Sequence, residues 1–464
     1  MHFQLFPAST YINRRQQLSA LLPDSLILLM GNEETGMNYR DNVYPFRQDS
    51  SFLYYFGLDT PGLAALIDTA KNETIIFGNE LSMDDIIWTG PLPSIKEMAN
   101  MVGVHKTQSY AQLATYLQNK ASVVKYLPPY RNANLIRIAE WLQIPLQEVS
   151  ARASTALIKA VVSQRMIKDQ LEVAAIDEAV SISTDMHLAA MQFTRPGMKE
   201  YEVAGKMMEV AYGAGGRLSY NIICSKDGHI LHNHYQGNTL AKGDLLLIDA
   251  GAEQAMHYAG DLTRTFPVGT KFSALQKSLY NIVLRSIETA SNMLAPGVRY
   301  IDVHAKAGEV LLQGLKEIGV VTGDPAEAVQ QNVHTLFFQC GLGHMMGLDV
   351  HDMEDLGEPI VGYTDSLKKR TDFGWKSLRL GRELQKGFVL TVEPGLYFIP
   401  ELIDRWKAEN KLASFVNYIE LEKLRHFGGI RIENNFLITD KGHQLLGKPL
   451  VMTAEAVEDQ LSLG

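Results

Sequence analysis

A chain of 464 residues is long enough for about two to three domains with cores of their own, and 46% hydrophobic with 20% charged residues excludes a disordered polymer. A balance of 43 basic against 52 acidic residues, net charge −9, with no segregated basic run, argues against a nucleic-acid partner. Two cysteines, Cys224 and Cys340, are too few for a disulfide framework or a thiolate zinc site and point to a reducing compartment.

The amino terminus, MHFQLFPASTYINRR, lacks the basic start, apolar stretch and cleavage site of an export signal, and no apolar run approaches the roughly 20 residues of a membrane span. A cytoplasmic protein with no membrane partner is the expectation. From Ser25 the apolar runs LILLMG, FLYYFGLD, GLAALID and ETIIFGNE, punctuated by turn residues, predict the strands of a sheet. Helical spacing over 95–101, 110–119 and 134–142 makes residues 1–164 a smaller, mixed α/β domain. A long amphipathic helix follows in MIKDQLEVAAIDEAVSISTDMHLAAMQF and stops at Thr194-Arg195-Pro196-Gly197. The second domain, 165–464, alternates helices with β-rich pieces without a strand-helix-strand repeat, which predicts an α+β fold.

The β-rich pieces of the second domain carry acids. Asp249 ends DLLLID, and AGAEQAMHYAG can turn the chain back antiparallel so that Asp261 joins it. Glu393 ends FVLTVE before Pro394-Gly395, and Glu433 lies in GIRIE on the same strand face as Arg431. Any one of these alone reads as a turn former or salt-bridge partner. Four on apolar strands would repel one another in a low-dielectric core, whereas two divalent ions would nearly cancel their charge and leave a position for a neutral ligand. His344 in GLGHMMGLDVHD suits that position, because flanking glycines let the backbone approach closely. Oxygen-rich ligation with one imidazole favours hard or borderline metals such as manganese, cobalt or zinc over copper, and manganese is the expected ion. Two ions activate water and polarise a carbonyl or phosphoryl oxygen, the chemistry of hydrolysis, without fixing which bond is cut.

The motifs DAGAE, YAGDLTRTFPV, GLGHMMGLDVHD, TVEPGLYF and GGIRIE together resemble the pita-bread metallopeptidases, the Xaa-Pro dipeptidases (prolidases) and Xaa-Pro aminopeptidases. YPFRQDSSFLYYFGL and the WTGP at Trp88 are similar to the amino-terminal domain those enzymes carry. The resemblance implies a pita-bread catalytic domain behind the smaller one, with metal ligands Asp249, Asp261, His344, Glu393 and Glu433. It further implies that Glu393 shuttles a proton, that His232 and His351 hold the scissile amide, and that the substrate is a peptide with proline second. His234 reads as structural. Homodimers or homotetramers are the implied assembly.

The resemblance to prolidases is closer over GWKSLRLGRELQKGFVLTVEPG and in the insert that separates Glu393 from Glu433 by 40 residues. There Arg379 falls where prolidases bind the proline carboxylate, a task a guanidinium fork performs well. Arg431 and Cys340 are the other expected substrate contacts. Cys340 departs from the pattern, standing in QCGLGH where the family usually has histidine, and the Asp249–Asp261 spacing is one residue longer than usual, which a bulge or longer turn would absorb. The expected activity is therefore Xaa-Pro dipeptide hydrolysis, with Xaa-Pro aminopeptidase second and a non-catalytic pita-bread binding module a distant third. Nothing resembles the glycine loop of a phosphate-binding enzyme.

Overall fold

The structure, a computed structural model, describes residues 4–463. Contacts divide them into two compact units, one of the described residues up to Arg165 with Met353–Ile360, the other of Met166–Asp352 with the described residues from Val361.

The first unit is built on a mixed five-stranded sheet in the order Lys106–Gln108, Glu73–Phe77, Ala64–Asp68, Leu26–Met30, Val124–Tyr126; the inner pairs are antiparallel and the two outer pairs parallel. Leu28, Leu66 and Ile75 align across the sheet and form a core with Leu113, Leu117, Ile138 and Leu142 of the helices Ala111–Leu117 and Asn132–Leu142. The helix Ile95–Met101 opens with a reciprocal capping box between Ser94 and Glu97.

One expected strand is corrected. The FLYYF of FLYYFGLD lies in a helix, Ser50–Phe56, all seven of whose residues are buried. A helix buried on every face, whose five apolar residues run consecutively, has no 3.6-residue period and reads locally like a buried strand. What makes it a helix is its ends: the Asp49 carboxylate accepts from the Phe52 N–H, and Gly57 closes it at φ 67°. Its last carbonyls are met from afar, Tyr54 O by Arg14 Nη1 at 3.1 Å and Tyr55 O by Arg15 Nη1 at 2.8 Å.

In the second unit the long helix is Gln170–Phe193, capped by Asp169 with Glu172 and ended at Thr194. Helices Glu200–Gly213, Ala274–Asn292 and Tyr300–Glu317 accompany small antiparallel sheets, with no parallel pairing among the described strands of this unit. Leu245–Ala250 lies between Ile223–Ser225 and Leu262–Pro267. A second ribbon runs Val389–Val392 and Gly395–Tyr397 against Asn434–Ile438 and Gly429–Arg431.

The hairpin between Asp249 and Asp261 has no bulge. Its register runs unbroken from the Leu245–Pro267 pair to the Glu253–Ala259 bridge, and Gln254 N–H donates to Tyr258 O at 3.0 Å. The additional residue is therefore taken up at the tip, a three-residue turn with His257 at φ 69°, where such loops place a left-handed residue.

Candidate metal centre

The two ribbons present the acids as facing pairs. Asp249 stands opposite Thr263, so Asp261, two residues along, is its diagonal neighbour on the same face. In the other ribbon Val392 pairs with Asn434 and Gly395 with Arg431 in one register, which sets Glu393 and Glu433 opposite each other where both strands are interrupted. The single apolar run GIRIENNFLIT is thus two strands broken at Ile432-Glu433. The ribbons are laced together: Glu433 N–H donates to Thr263 O at 3.1 Å, and the Asn435 side chain accepts from Asp261 N–H at 3.1 Å and donates to Asp261 O at 2.5 Å.

Thr263 is the hub of the lacing. Its hydroxyl donates to Glu433 Oε2 at 2.7 Å and accepts from Arg431 Nε at 3.1 Å. Arg431, expected as a substrate contact, is 3% exposed; it also donates from Nη1 to Tyr397 Oη at 2.9 Å and from Nη2 to Asp249 Oδ2 at 2.5 Å. Its guanidinium braces Asp249. The Tyr220 hydroxyl lies between Asp249 Oδ1 and Asp261 Oδ1, within hydrogen-bond distance of both, while Asp261 Oδ2 lies 3.3 Å from His344 Nε2. Asp261 therefore turns one oxygen to each side of the cluster. Sequence reading singled out neither Thr263, Tyr220 nor Tyr397. Thr263 alone had a signal, its period-two spacing from Asp261.

His344 is oriented from behind. Its Nδ1 donates to Met345 O at 3.1 Å, which leaves Nε2 as the acceptor facing Asp261 and, at 3.7 Å, Glu393 Oε1. Its backbone is paired with Thr391, next to Val392 and Glu393. Gly343 is required by this pairing, since a Cβ there would run into the Thr391 carbonyl and the Tyr300 hydroxyl. Asp261, His344 and Glu433 each offer a ligand atom within 4.8 Å of the others.

All ten expected site residues line one cavity of about 280 Å³. His232 lies on the loop after Ile223–Ser225; His234, set aside as structural, lines the cavity too. Arg379 and Cys340 are half-buried, and the Cys340 thiol, pushed up to about 12 by burial, donates to Tyr397 Oη at 3.7 Å. The His344 and His351 rings lie 4.2 Å apart.

Burial, reinforced by Asp249, raises Asp261 from an ordinary 3.8 to about 7. Burial raises Glu393 from 4.5 to about 7 against the pull of His344 and Arg431, and lifts Glu433 well above its usual range, with Asp261, Glu393 and Asp249 adding to it. Glu433 Oε1 is buried with no protein partner. A donor set of four carboxylates and one imidazole, destabilised as anions and holding an unmet buried oxygen, fits divalent cations.

Residues 174–440 match the sequence model of Metallopeptidase family M24, and residues 11–126 match that of the aminopeptidase P N-terminal domain. The chain is 33% identical to the human Xaa-Pro dipeptidase over 95% of its own length and 91% of that protein's, and 31% identical to the Escherichia coli K12 Xaa-Pro aminopeptidase over 96% of each. Among solved structures it is similar to E. coli aminopeptidase P with the inhibitor Pro-Leu, at a TM-score of 0.80 and 28% identity over 99% of both chains. The zinc-substituted form of the same enzyme in complex with product gives the same values. The expected architecture, a pita-bread domain preceded by a mixed-sheet domain, is thereby established.

Proposed function

Because the chain belongs to Metallopeptidase family M24, we propose that it hydrolyses the peptide bond preceding proline and prefers dipeptides, releasing free proline. The observation that carries this reading is the convergence of Asp249, Asp261, Glu393, Glu433 and His344 on one cavity that Arg379 also lines. In this reading those five residues hold two divalent ions, manganese foremost with cobalt or zinc as alternatives. When bound, the ions supply Lewis acidity for the scissile carbonyl and for the attacking water.

The remaining steps belong to the chain's own groups. The Glu393 carboxylate, raised by burial, accepts a proton from the attacking water and delivers it to the departing prolyl nitrogen. His232 and His351 donate to the scissile carbonyl oxygen and to the charge that develops there. Arg379 pairs bidentately with the proline carboxylate, fixing a substrate that ends one residue beyond the cut. Arg431 and Tyr220 keep Asp249 and Asp261 aimed. Cys340 offers a neutral thiol where a charged donor would otherwise meet the substrate.

A second reading has the Xaa-Pro aminopeptidase of E. coli in its favour, similar over 96% of the chain. Manganese-loaded protein should release proline from Ala-Pro or Gly-Pro. If those dipeptides are untouched while longer Xaa-Pro peptides are cleaved, the aminopeptidase reading replaces ours. If dialysed protein keeps no metal and cleaves neither, the chain is a binding module. We place the enzyme in the cytoplasm, as the free Cys224 and Cys340 suit, and as a homodimer or homotetramer, which sedimentation would test. No helix among the described residues is long and apolar enough to cross a membrane.

A further inference from the structure

A buried ion pair beside the cavity has no part in the chemistry above. Lys168 Nζ lies 2.7 Å from Asp352 Oδ2, with each side chain 1% exposed, in surroundings where either charge alone would be costly. Lys168 stands just ahead of the helix Gln170–Phe193, and its N–H donates to Gly387 O at 2.8 Å, two residues before the strand Val389–Val392. The ammonium thus projects from backbone tied to both helix and ribbon.

Asp352 directly follows His351. Its N–H donates to Met345 O at 2.9 Å, and its Oδ1 accepts from Asp349 N–H at 3.3 Å. Met345 O is the same carbonyl that receives His344 Nδ1. Residues 345–352 therefore form a loop closed at its neck, and His344 and His351 leave that neck side by side, rings 4.2 Å apart. With Oδ2 held by the ammonium and Oδ1 by a backbone N–H, the Asp352 carboxylate has one plane available, which fixes the chain immediately after His351.

We infer that Lys168 is a positioning residue of this centre: through Asp352 it locks the neck of the 345–352 loop and so aims His351 at the scissile bond. An apolar pair of the same shape would stabilise the fold equally well, so stability alone does not call for ions here; a directional hold on the neck does. The inference rests on the Xaa-Pro peptidase reading of the centre.

Lys168→Met alone would take the ammonium from a buried carboxylate, so the informative variant is K168M/D352N, which removes both charges and keeps the shapes. It should fold and bind manganese as the wild type does, with KM for Ala-Pro within about twofold and kcat lower by about 10- to 100-fold. If the double variant does not fold, Lys168→Gln, which leaves the Asp352 carboxylate facing a neutral N–H donor in place of the ammonium, should show the same split. Unchanged kcat in the folded, metal-loaded variant overturns the inference, leaving a purely structural pair. Loss of manganese along with kcat overturns it too, because the neck would then serve His344 and not His351. If the manganese-loaded wild type turns over no Xaa-Pro peptide at all, the underlying reading fails instead.

Discussion

At residue scale the proposed function divides the centre into groups that would hold charge and groups that would hold substrate, and substitution should tell them apart. Asp261 is shared between Tyr220 on one side and His344 on the other, and Glu433 carries the unmet buried oxygen. Asp261→Asn or Glu433→Gln should therefore lose metal and activity together, seen as absent manganese in the purified protein; turnover retained in either would remove that residue from the ligand set. His351 is not needed for charge balance. His351→Ala should keep manganese and lower kcat by about 10² to 10⁴, the reach of a positioned donor, and wild-type kcat would exclude it from the mechanism. Cys340 touches Tyr397, which in turn touches Arg431. Cys340→His should shift KM or kcat for proline dipeptides, and an unchanged pair of constants would make it a packing residue.

At the scale of elements, two ribbons do the positioning. The register that sets Asp249 against Thr263, and Glu393 against Glu433, gives each ribbon two carboxylates, and the Thr263 hydroxyl joins them. Thr263→Val removes the acceptor of Arg431 Nε and the donor to Glu433, neither of which has water as a ready substitute. We expect the variant to fold and to bind manganese about 10- to 100-fold more weakly, measured by titration of the dialysed protein. Gly343→Ala acts differently, driving a methyl into the carbonyl of Thr391, the residue whose N–H and hydroxyl pair with the His344 backbone. It should cost about 1–3 kcal/mol of stability in denaturant unfolding as well as metal. The antiparallel return from Asp249 to Asp261 was legible in the sequence, since apolar runs flanked a polar turn. The split of GIRIENNFLIT was not, because the break at Glu433 comes from pairing with a partner strand far away in the chain.

For the whole molecule, the buried carboxylates tie the stability of the metal-free fold to pH. Asp261 and Glu393 hold protons up to about pH 7 in the metal-free fold, against 3.8 and 4.5 ordinarily. Between about pH 4 and 7 the unfolded chain thus binds fewer protons than the folded one, so the stability of the metal-free protein falls as pH rises through that window. Metal binding at about pH 6 must expel those protons; calorimetric titration in buffers of different ionisation enthalpy should show it, and buffer-independent heat would contradict it. The sequence by itself determined that acids sit on apolar strands where unpaired charge is costly, because charge in a core and period-two alternation are local properties, and its motifs carried the resemblance to a peptidase family. Only the tertiary structure decided that FLYYF is a helix, its last carbonyls capped by Arg14 and Arg15 from 40 residues away. It also turned Arg431 inward as a brace, made Thr263 and Tyr220 the lacing of the site, and set Lys168 on Asp352, all contacts between residues too distant in the chain for any local pattern to announce.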